Sequence, residues 1–131
     1  VDHSPDVVRR ASARFRGYVR SGRVVFREGR VESIPFESGR FHKICTVNTL
    51  YFWRSLEEGS AELHRVLAQN GKLAIGFLPK QWMDGMGFPS DIFTSRTSEE
   101  VRSALAAAGF TRVRVERPTE ETAWNVILAS R

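Results

Sequence analysis

Two strand-like runs separated by a helical one limit this chain most: FHKICTV at residues 41–47 and KLAIGF at 72–77, with LEEGSAELHRVL between them. A continuous apolar strand suits a position buried on both faces of a sheet, and two strands joined through a helix pair in parallel, because antiparallel neighbours need only a short turn. The intervening helix begins at Ser55 or Leu56 and runs through Leu67, with Leu56, Leu63, Val66 and Leu67 inward and Gly71 closing it.

The same grammar extends to both sides. Ser4, Pro5 and Asp6 open a helix whose apolar Val7, Val8, Ala11, Phe15 and Tyr18 or Val19 recur at helical spacing until Gly22. Val24 to Arg27 reads as a short strand, and ESIPFESGR as a loop broken by Pro35 and Ser38-Gly39. Thr97 or Ser98 with Glu99 and Glu100 starts a helix that packs Val101, Leu105 and Ala108 and stops at Gly109. FTRVRVERP and AWNVILAS then alternate as an antiparallel pair joined across PTEET. The order predicts an α/β doubly wound sheet whose last pair is antiparallel. Val1-Asp2, with no initiator Met, reads as the end of an earlier strand, so the chain is expected to be truncated at its start.

Composition sets the outer bounds. With 131 residues and 41% hydrophobic residues the chain suits one domain. No apolar run reaches the roughly 18–20 residues of a membrane span. One cysteine, Cys45, excludes an intrachain disulfide and leaves the cytoplasm as the default compartment. His3, His42 and His64 lack zinc-like spacing, so no metal is expected. The net charge of +5 gathers in arginines 9, 10, 14, 16, 20, 23, 27 and 30, which are either the solvated face of a helix and strand or a surface for nucleic acid or another acidic partner.

VDHSPDVVRRA, VESIPFESGRFHKICTVNTLYFW, LHRVLAQNGKLAIGF and AAAGFTRVRVE with TAWNVILAS stand in the order of one known pattern: acidic strand end, "lPF…FD.i" block, "RVLkpGG.l" helix end and closing hairpin. In this the chain resembles class I S-adenosylmethionine-dependent methyltransferases. The resemblance implies a Rossmann-like sheet lacking its first strand and glycine-rich turn, the C-terminal portion of a single methyltransferase domain. It implies S-adenosylmethionine as cofactor, a small-molecule acceptor, and an exposed sheet edge through which the chain pairs with a second copy or rearranges to pair residues 24–27 with 41–47. The isolated fragment is expected to be inactive. The competing reading is a noncatalytic methyltransferase-like module with a basic binding face.

The resemblance also places candidate residues. Asp2, an acid at a strand tip, has the acceptor chemistry for a ribose diol, with His3 beside it. GRVE puts Arg30, Val31 and Glu32 near the adenine. Arg30 stands where an acid is common, and a guanidinium stacks on a base but accepts nothing from its amino group. FHKI likewise carries His42 in place of an acid. Asn48, past the carboxyl end of a central strand, is a candidate for the cofactor's amino-acid end or for the substrate. Tyr51 in the aromatic run is assigned to a substrate wall, and Trp82, Met83 and Phe88 in the connection at 80–93 to a substrate lid. No catalytic base is singled out, since methyl transfer from a sulfonium depends mainly on alignment.

Overall fold

The computed structural model describes residues 1–117 and 123–131. The expected PTEET turn lies outside the described residues. The sheet has four strands, β1 (Phe41–Val47), β2 (Leu67–Phe77), β3 (Thr111–Glu116) and β4 (Asn125–Ser130), in the order β1-β2-β4-β3. β1 and β2 are parallel, while β4 runs antiparallel to both β2 and β3. This mixed α/β sheet with a closing antiparallel pair is the arrangement expected from the sequence.

The helices are α1 (Pro5–Arg14), α2 (Arg16–Arg20), α3 (Leu56–Val66), α4 (Lys80–Met83) and α5 (Ser98–Ala107). α3 is the crossover between β1 and β2, capped by the Ser55 hydroxyl, which accepts the Glu58 N–H at 3.1 Å. α5 starts at a full capping box, with Thr97 and Glu100 each accepting from the other's backbone. The core lies between these helices and the sheet: Leu63 and Val66 of α3, Val101 and Leu105 of α5, Leu73, Ile75 and Phe77 of β2 and Ile127 of β4 are all buried. Each such side chain contributes roughly 1.5–3 kcal/mol relative to an exposed position.

Three local expectations are corrected. The first helix breaks at Phe15 (φ −106°, ψ 26°), whose ring stacks on Phe26 with centroids 6.1 Å apart. Neither half buries a residue, so no packing holds the break straight, and Gly17 weakens the second half. Residues 24–27 form no strand, because Val1-Asp2 offers too short a partner. Only a parallel bridge between Asp2 and Glu28 forms, flanked by the Asp2 N–H on the Arg27 carbonyl and the Gly29 N–H on the Asp2 carbonyl. Nor do residues 24–27 rearrange onto β1.

The third correction concerns Gly71. α3 ends at Val66 and β2 starts at the very next residue, so the glycine sits inside the strand rather than closing the helix. The register passes from Phe41↔Leu67 to Lys43↔Lys72, leaving residues 68–71 as a bulge. Asn70 there adopts a left-handed φ of 60°, and a Cβ on Gly71 would lie 2.6 Å from Leu67 Cγ and 2.7 Å from the Ala68 carbonyl. The close approach, not a helix cap, demands glycine. Arg131 locks this junction by donating to the carbonyls of Arg65 (3.2 Å) and Leu67.

A second clamp fixes the loop before β1. Arg65 on α3 donates to the carbonyls of Ile34 (3.0 Å) and Phe36 (2.9 Å) while pairing with Glu62 at 2.6 Å, and Glu62 accepts the Ile34 N–H at 2.8 Å. The guanidinium holds the Glu62 carboxyl below its ordinary range, with the Ile34 N–H adding to the effect.

Candidate functional site

Beside the outer edge of β1 lies a cleft of about 680 Å³. One wall is the bridge region with Val1, Asp2 and His3 and the turn from Gly29 to Glu32. The other is β1 itself, with Ile44, Cys45 and Thr46, followed by Asn48 and Thr49. Leu63 and Val66 of α3 supply apolar lining, and Phe52, Trp53 and Ile92 complete it.

Asp2 is fixed by its neighbours. Asp2 Oδ1 accepts the Ser4 N–H at 2.8 Å, which anchors the carboxylate at the start of α1. A carboxylate offers about four acceptor positions, so this bond leaves room for a diol. His3 Nδ1 stands 3.8 Å from the same oxygen. Arg30 bridges to Ser33 across a tight turn and lines the cleft, and Val31 lines it while packing against the core. Glu32 also faces the cleft but is engaged: its Oε1 accepts the Arg54 N–H at 2.7 Å, tying this turn to the start of α3.

At the far end of β1, Asn48 donates its backbone N–H to the Gly76 carbonyl at 3.0 Å and adopts a left-handed φ of 57°, a conformation asparagine tolerates better than most residues. The Thr46 and Thr49 hydroxyls bond to each other, and Trp53 Nε1 donates to Thr49 Oγ1 at 3.2 Å. These bonds pin the turn that carries Asn48.

The structure relocates several expected substrate residues. Tyr51 is not on the cleft wall. A 3₁₀ turn at Leu50–Phe52 sends Leu50 and Tyr51 into the core and leaves Phe52 outward, so Phe52 is the aromatic that reaches the cleft. Met83 is likewise buried in the core, because α4 folds part of the long connection against the sheet end. Trp82 is 52% exposed and lies outside the cleft lining. Phe88 lines, with Met83 and Phe93, a smaller hollow of about 180 Å³. The two hollows are joined by rings: Phe52 lies 5.0 Å from Phe93, and Phe93 lies 4.9 Å from Phe88.

Sequence reasoning passed over Phe52 and Ile92. Aromatic content alone does not rank the members of NTLYFW, and Ile92 sits in a connection with no periodicity. His42 is exposed and lies outside the cleft lining. Among the described residues no group of three or more His, Cys, Asp or Glu is placed to hold a metal, and no helix is long and apolar enough to cross a membrane.

Asp2, in an isolated bridge beside the sheet, and Asn48, just past the carboxyl end of β1, thus line one cleft. The particular family follows from the sequence: the chain belongs to the methyltransferase domain family, whose profile matches residues 1–75. S-adenosylmethionine is the cofactor of this class. The donor set fits it, with the Asp2 carboxylate for a ribose diol and Val31 as an apolar surface beside it.

Solved structures share the fold. A SAM-dependent methyltransferase from Thermotoga maritima, described as a possible histamine N-methyltransferase, is 21% identical, with a TM-score of 0.69 over 91% of this chain and 70% of its own. The [4+2]-cyclase SpnF is 18% identical, with a TM-score of 0.80 over 98% of this chain and 63% of its own. The S-adenosylmethionine-dependent methyltransferase SibL, in its apo form, is 18% identical, with a TM-score of 0.79 over all of this chain and 42% of its own. This chain therefore spans between 42% and 70% of the length of these structures. No curated protein matches significantly. That a cyclase carries the same fold means the fold by itself does not fix the reaction.

Proposed function

We propose that these residues form the C-terminal portion of a single methyltransferase domain that methylates a small, largely apolar acceptor. The observation that carries this reading is that Asp2 and Asn48 line one cleft together with the apolar Phe52 and Ile92. S-adenosylmethionine supplies the activated methyl group. The chain's own residues bind and orient: Asp2 takes the ribose, Val31 and Arg30 cover the base, and the aromatic end holds the acceptor. Alignment is the main catalytic resource of such a transfer, which accords with a site built from positioning groups.

Gly29 is the one glycine among the lining residues. The glycine-rich turn that the family resemblance implies has no counterpart here, so the open edge of β1 leaves the cofactor without one wall. The 131 residues alone should accordingly bind weakly and turn over poorly. Calorimetric titration with S-adenosylmethionine tests the assignment: Asp2→Asn should weaken binding about tenfold, as expected for loss of hydrogen bonds to a charged acceptor. Equal affinity in wild type and variant would remove Asp2 from the site.

A further inference from the structure

The burial of Tyr51 gives its hydroxyl a role at the cleft that its ring does not have. The Leu78 N–H, just past β2, donates to the Tyr51 oxygen at 2.6 Å. An oxygen that accepts there directs its own proton elsewhere, and the partner in reach is Asn48 Oδ1 at 3.3 Å. Burial pushes the phenol above its ordinary value of 10.0, against the opposing effect of the Leu78 N–H, so the proton stays on. The carboxamide oxygen of Asn48 is therefore the end that faces Tyr51, and the NH₂ end is left for the cleft. Among the described residues nothing accepts from that NH₂.

From this relay we infer that Tyr51 is a positioning residue which turns the Asn48 NH₂ into the cleft, so that the site selects acceptors carrying a carbonyl or carboxylate oxygen next to an apolar body. The inference rests on the methyl-transfer reading for the word acceptor. The backbone N–H of Asn48 is held by the Gly76 carbonyl near the end of β2, and its side-chain oxygen by the Tyr51 hydroxyl, which the Leu78 N–H just past that end fixes in turn. Phe52 and Ile92 supply the apolar contact at the same end.

The test uses a matched pair of probes, phenylacetate and 2-phenylethylamine, titrated into isotope-labelled protein while the Asn48 side-chain amide is followed by NMR. Phenylacetate should shift that resonance and the amine should not. Asn48→Asp should reverse the preference, and Tyr51→Phe should lower phenylacetate affinity about threefold to tenfold, the size of one hydrogen bond. A purely structural Tyr51 would change the melting temperature but leave the acid-to-amine ratio alone. Equal response to both probes, or an unchanged ratio in Tyr51→Phe, overturns the inference. S-adenosylmethionine titration of the wild type and Asp2→Asn separates the two ideas: acid preference with equal cofactor affinity in both sinks the methyl-transfer reading alone, and weakened cofactor binding in Asp2→Asn without acid preference sinks only the relay.

Discussion

Gly59, in the interior of α3, sets two effects of known size against each other. Replacing glycine by alanine inside a helix ordinarily stabilises by about 0.8–1.0 kcal/mol. Here the added Cβ would lie 2.9 Å from Trp53 Cε3 and 3.2 Å from Val31 Cγ1. Trp53 is buried, and its Nε1 is tied to Thr49, so the ring cannot turn aside without breaking that bond. Overpacking of this kind costs about 1–3 kcal/mol. The balance for Gly59→Ala is a net loss of about 1 kcal/mol, or about 3–5 °C in Tm for a chain of this size. Calorimetric melting measures it, and Trp53 fluorescence reports the displaced ring. Gly17→Ala in α2 is the control, because an added Cβ there meets nothing within 4 Å and φ is not positive. If Gly59→Ala raises Tm, or leaves it where Gly17→Ala does, the contact with Trp53 is not the constraint described.

Ser60, the next residue, is fully buried with an Oγ that has no hydrogen-bond partner among the described residues, so Ser60→Ala should stabilise by about 1 kcal/mol in chemical denaturation. Because the native carboxyl of Glu62 titrates below its ordinary 4.5, the stability it contributes is complete above that pH and is lost as pH falls through the lower native value. Urea midpoints measured across this range should fall less steeply in Glu62→Gln than in wild type, and parallel curves would show that the Arg65 clamp does not sense Glu62 ionisation.

Short-range chemistry made much of this fold legible. β1 occupies the seven residues that FHKICTV marks, and the capping signals at Ser4 and Thr97 lie where the helices start. What escaped was decided by partners far along the chain. Residues 24–27 have strand composition but no full-length neighbour, and strand composition without a ladder does not hold a strand. Gly71 looks like a helix stop from its neighbours alone. Its true constraint is the approach of Leu67 and of the Ala68 carbonyl, which only the bulge creates. Asn48 stands just past β1, as its place after FHKICTV indicates, whereas Asp2, expected at a strand end, stands in an isolated bridge because it lacks a ladder. The orientation of Tyr51 depends on a 3₁₀ turn and on an N–H 27 residues away, neither of which leaves a periodic trace.

The direct passage from Val66 to Leu67 has a mechanical consequence. With no linker between α3 and β2, and with Arg131 at the end of β4 bridging the carbonyls on either side of the joint, helix, strand and terminal strand behave as one lever. The two bonds tie the orientation of α3 to that of β2. The span from Leu78 to Arg96, which brings Ile92 to the cleft, reaches it from the other side of that joint, its ends tethered by the Lys80 N–H on the Arg96 carbonyl and its Thr94 N–H resting on the Tyr51 carbonyl.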